Sequence, residues 1–372
     1  MDKGSGSRVT GGLTSILITG GRGQLGSELH HLLERAGVSH EALDLPELDV
    51  TDKRSVFAAV QQLARVSRRE GLRPRQGHLV PLVIHTAAYT SVDGAEDPAE
   101  REKVFRINSA GTRIVAEACA RAHVPMVYIS TDYVFGGEKR VPYEVDDPPR
   151  PLNVYGASKL LGEESVREVL AEHYIIRTAW LYGARGRNFP RSILEAAKAS
   201  VRAGKPLQVV NDQVGCPTNA RDLAEAILLL AGIPVVTPNG VHLRRGSRNE
   251  SIVNGDQPSG LECDAQFPIN VTRPVETLVP AAPFGTYHVT NSGSCSWYKF
   301  AQEIVLQAGW QVRVEPISSL NLNRPAKRPT YSALSLAKLR ELGLEIRPWQ
   351  GALAAFLEEL RTDSPQLFPP TE

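Results

Sequence analysis

Three glycines at a fixed spacing constrain the fold of this chain more than any other feature. Gly20, Gly23 and Gly26 follow the apolar run Ser15–Thr19 and precede Ser27–Arg35, whose apolar residues recur at helical spacing. Glycine permits a tight turn, a close approach of the backbone to a pyrophosphate and close packing of the helix on the strand. The helix N-terminus adds free N–H groups and the positive end of a dipole. The motif therefore predicts a strand, a turn and a helix that bind a dinucleotide.

Strand-like apolar runs alternate with helical patterns along the first half of the chain. After a unit at Glu41–Asp49, the strand-like runs are Leu79–His85, Val124–Ser130 and Tyr174–Thr178. The helical patterns are Asp52–Val66, Ala99–Ala122 and Leu160–Leu170. This alternation predicts a parallel sheet with right-handed crossovers. We expect the α/β class, with a Rossmann-type, doubly wound parallel sheet and a smaller C-terminal substrate-binding lobe.

The same pattern suggests how the chain is divided. We expect a dinucleotide-binding Rossmann domain at residues 15–178 and a substrate-binding lobe at residues 179–362, with some segments of the lobe returning to the sheet. Residues 1–14 are expected to be a flexible tail, and residues 363–372 a C-terminal tail.

Two stretches interrupt the pattern. Arg65–Gly77 is rich in arginine and predicts an exposed loop insertion. Val235–Pro283 holds many Pro, Gly, Asn and Ser residues without a sustained period. Because loops of that length are uncommon in compact domains, we expect a disordered insertion at residues 235–283.

The overall charge bears on the partners of the chain. Among 372 residues, 42 are Lys or Arg and 41 are Asp or Glu, so the formal net charge is +1. No strong field favours nucleic acid or an anionic membrane, and no apolar run is long enough to span a bilayer.

The four cysteines are far apart and form no CxxC pair. We therefore expect reduced thiols, no structural metal site and a cytoplasmic protein.

Asp44 lies about twenty residues beyond the glycine loop, at the end of the second strand-like unit. A carboxylate at this position accepts a hydrogen bond from the 2′-hydroxyl of the NAD ribose. It would repel the 2′-phosphate of NADP, but Arg22 is able to pair with that phosphate. The alternative is a solvated turn residue. The sequence therefore leaves the preference between NADPH and NADH open.

A tyrosine and a lysine four residues apart begin a predicted helix. Tyr155 and Lys159 project from the same helical face. A neighbouring ammonium favours the phenolate and is expected to lower the pKa of Tyr155, which makes the pair an acid and base usable near neutral pH. The lysine is also suited to hold the nicotinamide ribose. Two unrelated residues on a helix are the alternative.

Polar and aromatic residues follow two of the predicted strands. Thr131 and Asp132 come after Val124–Ser130, and the carboxyl ends of such strands face the ligand crevice. Thr131 is suited to donate a hydrogen bond to a substrate oxygen as charge develops on it, or it is a turn hydroxyl. Trp180 follows the next strand and is suited to stack on an apolar sugar face, or it is an ordinary core tryptophan.

These residues and several longer segments resemble one family within the extended short-chain dehydrogenase/reductases. The segments are "LNVYGASKLLGE", "IIRTAWLYG", "NDQVGCPT", "YHVTNSGSCSWYKFA" and "RPAKRPTYSAL". Together they resemble dTDP-4-dehydrorhamnose reductases from Ile16 to Leu360, except in the two insertions. The resemblance implies NAD(P)H-dependent reduction of dTDP-4-dehydro-L-rhamnose at C4 to dTDP-L-rhamnose.

The resemblance also implies roles for individual residues. Tyr155, Lys159 and Thr131 would be catalytic, and Thr131, Asp132 and Trp180 would contact the sugar. Residues implied to line the cofactor, with Tyr155 and Lys159, are Gly20, Gly23, Gln24, Leu25, Gly26, Asp44, Asp49, Val50, Ala87, Ala88 and Tyr89. NADPH is the first cofactor considered and NADH the second.

Weaker implications concern metal, assembly and a basic cluster. Some members of the resembled family use Mg²⁺ at a subunit contact, where Glu28 aligns with one carboxylate; a homodimer is one assembly to consider. A glutamate in the first turn of a helix also simply favours the dipole. Arg324, Lys327 and Arg328 would either meet a diphosphate or form a solvated loop.

Two other functions are compatible with the same motifs. A nucleotide-sugar epimerase or dehydratase shares the fold, and Asp132 beside Thr131 does not exclude a dehydratase. A non-catalytic relative, resembling the regulatory subunit of methionine adenosyltransferase, keeps the fold and much of the YxxxK region. The stretch Arg177–Trp180 resembles the reductases rather than this regulator.

Overall fold

The computed structural model describes residues 16–69, 81–233, 241–243 and 281–370. Its strands are β1 (Ile16–Thr19), β2 (His40–Leu43), β3 (Leu82–His85), β4 (Met126–Thr131), β5 (His173–Thr178), β6 (Leu181–Tyr182), β7 (Leu207–Val210), β8 (Val214–Gly215), β9 (Thr218–Asn219), β10 (Val241–Leu243), β11 (Gly285–His288), β12 (Cys295–Ser296), β13 (Val314–Ile317) and β14 (Leu344–Ile346). Its α-helices are α1 (Gln24–Arg35), α2 (Lys53–Arg69), α3 (Pro98–Phe105), α4 (Thr112–Ala122), α5 (Val154–Val169), α6 (Phe189–Ala203), α7 (Ala220–Leu230), α8 (Trp297–Ala308), α9 (Ala337–Glu341) and α10 (Trp349–Asp363).

Among the described residues, six strands form one sheet in the order β11-β5-β4-β3-β1-β2. Every neighbouring pair in this sheet is parallel. The order reverses between β1 and β3, and ligands of open α/β sheets bind at the carboxyl ends of strands beside such a reversal. The predicted class, a Rossmann-type doubly wound sheet, is confirmed.

Helices cover both faces of the sheet because successive strand residues point to opposite sides. Ile18 of β1 packs in a cluster with Leu29 of α1 and Ile227 of α7. Its neighbour Leu17 packs in the cluster on the other face, which contains Val60 of α2. The strands are therefore apolar on both sides, as the buried runs in the sequence indicate.

A buried ion pair fixes α5 on the sheet. The carboxylate of Glu163 accepts hydrogen bonds from Nε and Nη2 of Arg177 in β5, at 2.9 and 2.8 Å. It also accepts one from Oγ of Ser130 in β4, at 2.5 Å. Asn153 caps the N-terminus of α5: its side chain accepts a hydrogen bond from the backbone N–H of Gly156 at 2.7 Å.

The C-terminal part has a core of its own and also returns to the sheet. Phe300 of α8 and Phe356 of α10 pack with Tyr182 in one cluster, whereas β11 pairs with β5 at the edge of the sheet.

In the described ranges, no helix is long and apolar enough to cross a bilayer. Cys119, Cys216 and Cys295 are buried and free; Cys263 lies outside the described residues.

Two helix predictions differ from the structure. The loop insertion expected from Arg65 begins too early, because α2 continues to Arg69; residues 70–77 lie outside the described residues. The single helix expected over Ala99–Ala122 is divided by a π-helical turn at Arg106–Gly111. This turn admits Asn108, which is fully buried and bonds to the neighbouring loop.

The segment expected to be a C-terminal tail is described up to residue 370 and packs in part on the core. After α10, a 3-10 turn at Pro365–Leu367 leads to Phe368, which is buried in the C-terminal core.

The expected disordered insertion contains a strand, since Val241–Leu243 pairs with β14. The rest of that insertion up to residue 280, and the N-terminal tail, lie outside the described residues.

Removing one charge of the buried pair should destabilise the protein strongly. We expect Glu163→Gln to lower the free energy of unfolding by about 3–5 kcal/mol, because the buried guanidinium of Arg177 keeps its charge and loses the carboxylate that pairs with it. Denaturant unfolding measures the loss. The matched control is Glu168→Gln. Glu168 lies on α5, as Glu163 does, but its ion pair with Arg113 is exposed, so its loss should change stability little. Equal effects of the two substitutions would contradict this account.

Candidate active site

A crevice of about 720 Å³ lies at the carboxyl ends of the strands, where the strand order reverses. It contains all but one of the residues that the sequence analysis assigns to catalysis, the cofactor or the sugar. Those that line it are Gly20, Gly23, Gln24, Leu25, Gly26, Asp44, Asp49, Val50, Ala87, Ala88, Thr131, Asp132, Tyr155, Lys159 and Trp180. The exception is Tyr89, whose backbone N–H and C=O bond to the side chain of Asn108 just outside the lining.

The glycine loop leaves no room for side chains. Gly20 has a φ of 73°, and a Cβ there would lie 2.6 Å from the backbone nitrogen of Ala87. A Cβ at Gly26 would lie 2.2 Å from the carbonyl oxygen of Gly20. Glycine is therefore required for the turn and for the contact between α1 and β1. No side chain caps the start of α1 at Gly23, so its first N–H groups point to the crevice as donors for an anion.

The loop also presents a buried acceptor. Oε1 of Gln24 is buried and has no hydrogen-bond partner among the described residues, although Gln24 lines the crevice. Buried polar atoms are normally bonded, so this atom fits a site that a ligand completes. The uncapped helix, the glycine turn and the unpartnered amide oxygen of Gln24 together fit a dinucleotide.

Asp44 and Arg22 occupy the rim of the crevice. One carboxylate oxygen of Asp44 accepts from the backbone N–H of Arg22 at 3.0 Å, and the other accepts from that of Leu45 at 2.8 Å. The carboxylate thus joins the loop to the end of β2. The exposed guanidinium of Arg22 pairs with Glu47 at 2.5 Å and bonds to the carbonyl of Leu45. An exposed cation therefore lies beside the expected ribose carboxylate.

Tyr155 and Thr131 meet inside the crevice, one from α5 and one from the end of β4. Their side chains lie close enough for Thr131 to lower the pKa of Tyr155. Burial raises the pKa of Tyr155 to about 12, an effect that Thr131 opposes and Asp132 reinforces. The expected lowering of this pKa is therefore wrong for the structure as it stands. Desolvation of the phenolate outweighs the cation four residues away.

Lys159 is itself shifted by the same burial. Its pKa falls to about 7, because desolvation disfavours the ammonium while the carboxylate of Glu163 favours it only in part. The Lys159 nitrogen lies 4.2 Å from the ring centroid of Tyr128. Near neutral pH the lysine is consequently divided between its charged and neutral forms.

Trp180 reaches the crevice through an unusual backbone conformation. It follows β5 with a φ of 46°, and its indole stacks on that of Trp297 with the centroids 3.4 Å and the planes 6° apart. A Cβ at Gly215 would lie 2.5 Å from the same indole. The ring predicted to meet a sugar is therefore one half of an aromatic wall, since Trp297 also lines the crevice.

Sequence reasoning missed three residues of this site. Asn108 enters through the π-helical turn and donates to Oγ of Ser158 at 2.9 Å. Trp297 lies in a segment that carried the resemblance, but nothing in its spacing pairs it with Trp180. Ser332 donates to the carboxylate of Asp132 at 2.5 Å across 200 residues of chain. Such distant contacts leave no local signal.

The structure bears on both the predicted basic cluster and the expected magnesium site. Arg328 forms two hydrogen bonds to Asp93, at 2.9 and 2.8 Å, and Arg324 lies 3.8 Å from the same carboxylate. They brace the C-terminal segment instead of facing a free diphosphate. Burial, then Glu359, raises the pKa of Glu28. Within the described ranges no group of three His, Cys, Asp or Glu residues is able to hold a metal ion, so a magnesium site at Glu28 has no support.

Comparison with known proteins gives one family. A family model described as RmlD substrate binding domain matches residues 14–242 and 262–362. The chain is 35% identical to a dTDP-4-dehydrorhamnose reductase of Streptomyces griseus, over 91% of this chain and 91% of that protein. It is 34% identical to the spore coat polysaccharide biosynthesis protein SpsK of Bacillus subtilis (strain 168), over 93% and 98% of the two chains.

A solved structure agrees with these matches. The fold is similar to that of dTDP-4-dehydrorhamnose reductase from Bacillus anthracis str. Ames, determined in complex with NADP. The TM-score is 0.71 at 32% identity, and the match covers 93% of this chain and all of the other, 100%.

Tyr155 should remain protonated near neutral pH. Since burial raises its pKa to about 12, the phenol keeps its proton until strongly alkaline pH. Ultraviolet difference titration of the protein and its Tyr155→Phe variant measures this directly. We expect no tyrosinate signal near neutral pH that the substitution removes; such a signal would contradict the burial of this hydroxyl.

Proposed function

Because the chain belongs to the RmlD substrate binding domain family, we propose that it is an NAD(P)H-dependent reductase that converts dTDP-4-dehydro-L-rhamnose to dTDP-L-rhamnose. The observation that carries this proposal is the meeting of Tyr155 and Thr131 in a crevice that begins at the glycine loop. A ketone that receives a hydride becomes an oxyanion and needs a proton donor beside it.

Tyr155 is the proton donor in this proposal. Its raised pKa keeps the phenol protonated, which is the form that a reduction consumes. Thr131 donates a hydrogen bond to the same sugar oxygen as charge develops there. The buried Lys159, in its charged form, stabilises the phenolate that remains and holds the nicotinamide ribose.

The sugar lies between β4 and the aromatic wall. Thr131 and Asp132 supply polar contacts from the end of β4, and Trp180 supplies an apolar surface at the end of β5. A 6-deoxy sugar presents a methyl group as well as hydroxyls, so it matches a site with both kinds of surface.

The nicotinamide cofactor supplies the hydride when it is bound. Gly20, Gly23 and Gly26 leave space for the pyrophosphate, and Gln24 and Leu25 line it at the start of α1. Asp44 faces the adenosine ribose. The remaining proposed contacts come from the carboxyl ends of the strands: Asp49, Val50, Ala87, Ala88 and Tyr89.

We propose NADPH as the preferred cofactor. Arg22 is exposed at the rim, its backbone N–H is bonded to Asp44, and its salt bridge to Glu47 is open to solvent. Surface ion pairs contribute little, so the guanidinium is free to exchange Glu47 for a 2′-phosphate. The Bacillus anthracis relative was solved with NADP, which is consistent with this choice.

The direct test is turnover with product identification. Purified protein, dTDP-4-dehydro-L-rhamnose and NADPH should yield dTDP-L-rhamnose with loss of nicotinamide absorbance. Tyr155→Phe should lower kcat by about 10²–10⁴-fold, the contribution of a positioned acid. Tyr298→Phe is the control, because that hydroxyl contacts Gln302 on α8 outside the crevice.

Other outcomes would point to other functions. An epimerised or dehydrated sugar without net cofactor oxidation would replace the reductase by an epimerase or dehydratase. Absence of turnover in protein that binds NADPH, together with stable co-purification of a synthetase, would support the regulatory relative. Rapid turnover of a different 4-keto sugar nucleotide would keep the chemistry and change the substrate.

Cofactor preference should depend on Arg22. We expect Arg22→Ala to weaken NADPH binding about tenfold, roughly 1.4 kcal/mol, since a charged hydrogen bond is lost. NADH binding should stay within about twofold, because NADH lacks the 2′-phosphate that the guanidinium contacts. Fluorescence titration with both cofactors measures this, with Arg54→Ala, an exposed arginine outside the crevice lining, as control. Equal losses for the two cofactors would refute the assignment.

A further inference from the structure

A chain of buried hydroxyl and carboxyl groups leads away from Tyr155. The Thr131 side chain lies close enough to the Tyr155 hydroxyl to lower the pKa of Tyr155. Thr131 Oγ1 donates to Oδ1 of Asp132 at 3.1 Å, and Oγ of Ser332 donates to Oδ2 of Asp132 at 2.5 Å. Thr131, Asp132 and Ser332 are between 2% and 6% exposed. The chain therefore extends from the proton donor to the C-terminal segment without reaching bulk water.

Backbone bonds hold Ser332 rigidly in this position. Its N–H donates to the carbonyl of Val214 at 2.8 Å, and the N–H of Val214 donates to the carbonyl of Thr330 at 2.9 Å. On the other side, the N–H of Tyr143 donates to the carbonyl of Ala333 at 2.8 Å. The backbone of this segment is therefore fixed on both sides of Ser332, whose hydroxyl donates to Asp132.

The side-chain partners of the Asp132 carboxyl are hydroxyls, and backbone N–H groups of Asp132 and Tyr133 add to them. Burial raises its pKa to about 7, and the hydrogen bonds from Ser332 and Thr131 oppose that rise. The other titratable groups that interact with it are uncharged near neutral pH: Tyr133, Tyr155 and the thiol of Cys216, whose pKa values are all raised by burial. Arg328 interacts with Tyr133 and is paired with Asp93.

The protonation of Asp132 decides what Thr131 is able to do. A carboxylate accepts only, so Thr131 must give its proton to Asp132 and only accept from Tyr155. A protonated carboxyl is a donor, which frees the Thr131 proton to turn toward Tyr155 or the substrate oxygen. Thr131 fills the role proposed for it only in the second arrangement.

We propose that Asp132 is the proton reservoir that restores Tyr155 through Thr131 after each reduction, and that Ser332 is the positioning residue that holds Asp132 for this transfer. The step balances as follows, and it rests on the proposed function. Tyr155 loses its proton to the sugar oxygen as the hydride reaches the carbon. Thr131 passes its proton to the phenolate and takes one from the Asp132 carboxyl. The resulting carboxylate recovers a proton from water once the product leaves.

The kinetic test is the pH dependence of kcat with dTDP-4-dehydro-L-rhamnose and NADPH. We expect kcat to fall as pH rises through about 7, where Asp132 loses its proton. Ser332→Ala removes a bond that stabilises the carboxylate, so the falling limb should move to higher pH by about one unit, with KM little changed. Ser332→Thr keeps the hydroxyl and should restore the original limb.

The matched control is Thr330→Val, two residues earlier in the same segment. Its hydroxyl donates to the carbonyl of Gly137 at 3.0 Å and does not reach Asp132. It should leave the profile unchanged. Lys159 also titrates near neutral pH, but Ser332 does not contact it. A lower kcat with an unshifted limb in Ser332→Ala would mean a merely structural role and would overturn the proposal.

A second readout needs no turnover. Infrared titration of the substrate-free protein should show a protonated carboxyl band that is lost near pH 7 and is absent in Asp132→Asn. In Ser332→Ala the band should persist to higher pH. If the band behaves so and the protein does not reduce the sugar, the proposed function fails and the linkage between Ser332 and Asp132 stands. A band lost only at strongly acidic pH would overturn the reservoir even if the reduction proceeds.

Discussion

The ion pair between Glu163 and Arg177 is the contact on which the placement of the catalytic helix depends. Glu163 lies one turn beyond Lys159 and two turns beyond Tyr155 on α5, and it accepts hydrogen bonds from Ser130 of β4 and Arg177 of β5, besides one from Arg167 on α5 itself. A buried carboxylate is costly unless every acceptor is bonded, so α5 has one register that satisfies it. The same contact therefore fixes the helix, the two strand ends beside it and the distance between Tyr155 and Thr131.

Burial acts on the ionisable groups of the crevice in one common direction. Desolvation raises the pKa of Tyr155 and of Asp132 and lowers that of Lys159, so each is shifted toward its neutral form. In the proposed reduction such groups are sources of protons, so the neutral acid is the form of Tyr155 and of Asp132 that the proposal requires. The charge left by the reaction is met by Lys159 within the same enclosed volume.

Local patterns predicted the parts of the site that lie close together in sequence. The glycine loop, the pair Tyr155 and Lys159, and the strand ends all follow from short-range spacing, and the structure brings them to one crevice. The partners that hold them came from elsewhere: Ser332 from 200 residues away, and Asn108 from a helix whose π-helical turn no periodicity reveals. The raised pKa of Tyr155 was also not predictable from the sequence, because desolvation depends on the whole surrounding fold.

The packing of Trp180 has a consequence for how this family is able to diverge. Its indole lies against Trp297 and against a glycine at position 215 that admits no Cβ. A side chain at 215 is therefore compatible only with a smaller ring at 180, and a smaller ring at 180 leaves a void unless 215 or 297 grows. These three positions should change together across lineages, so a new sugar preference would be reached by coordinated replacement instead of by single steps.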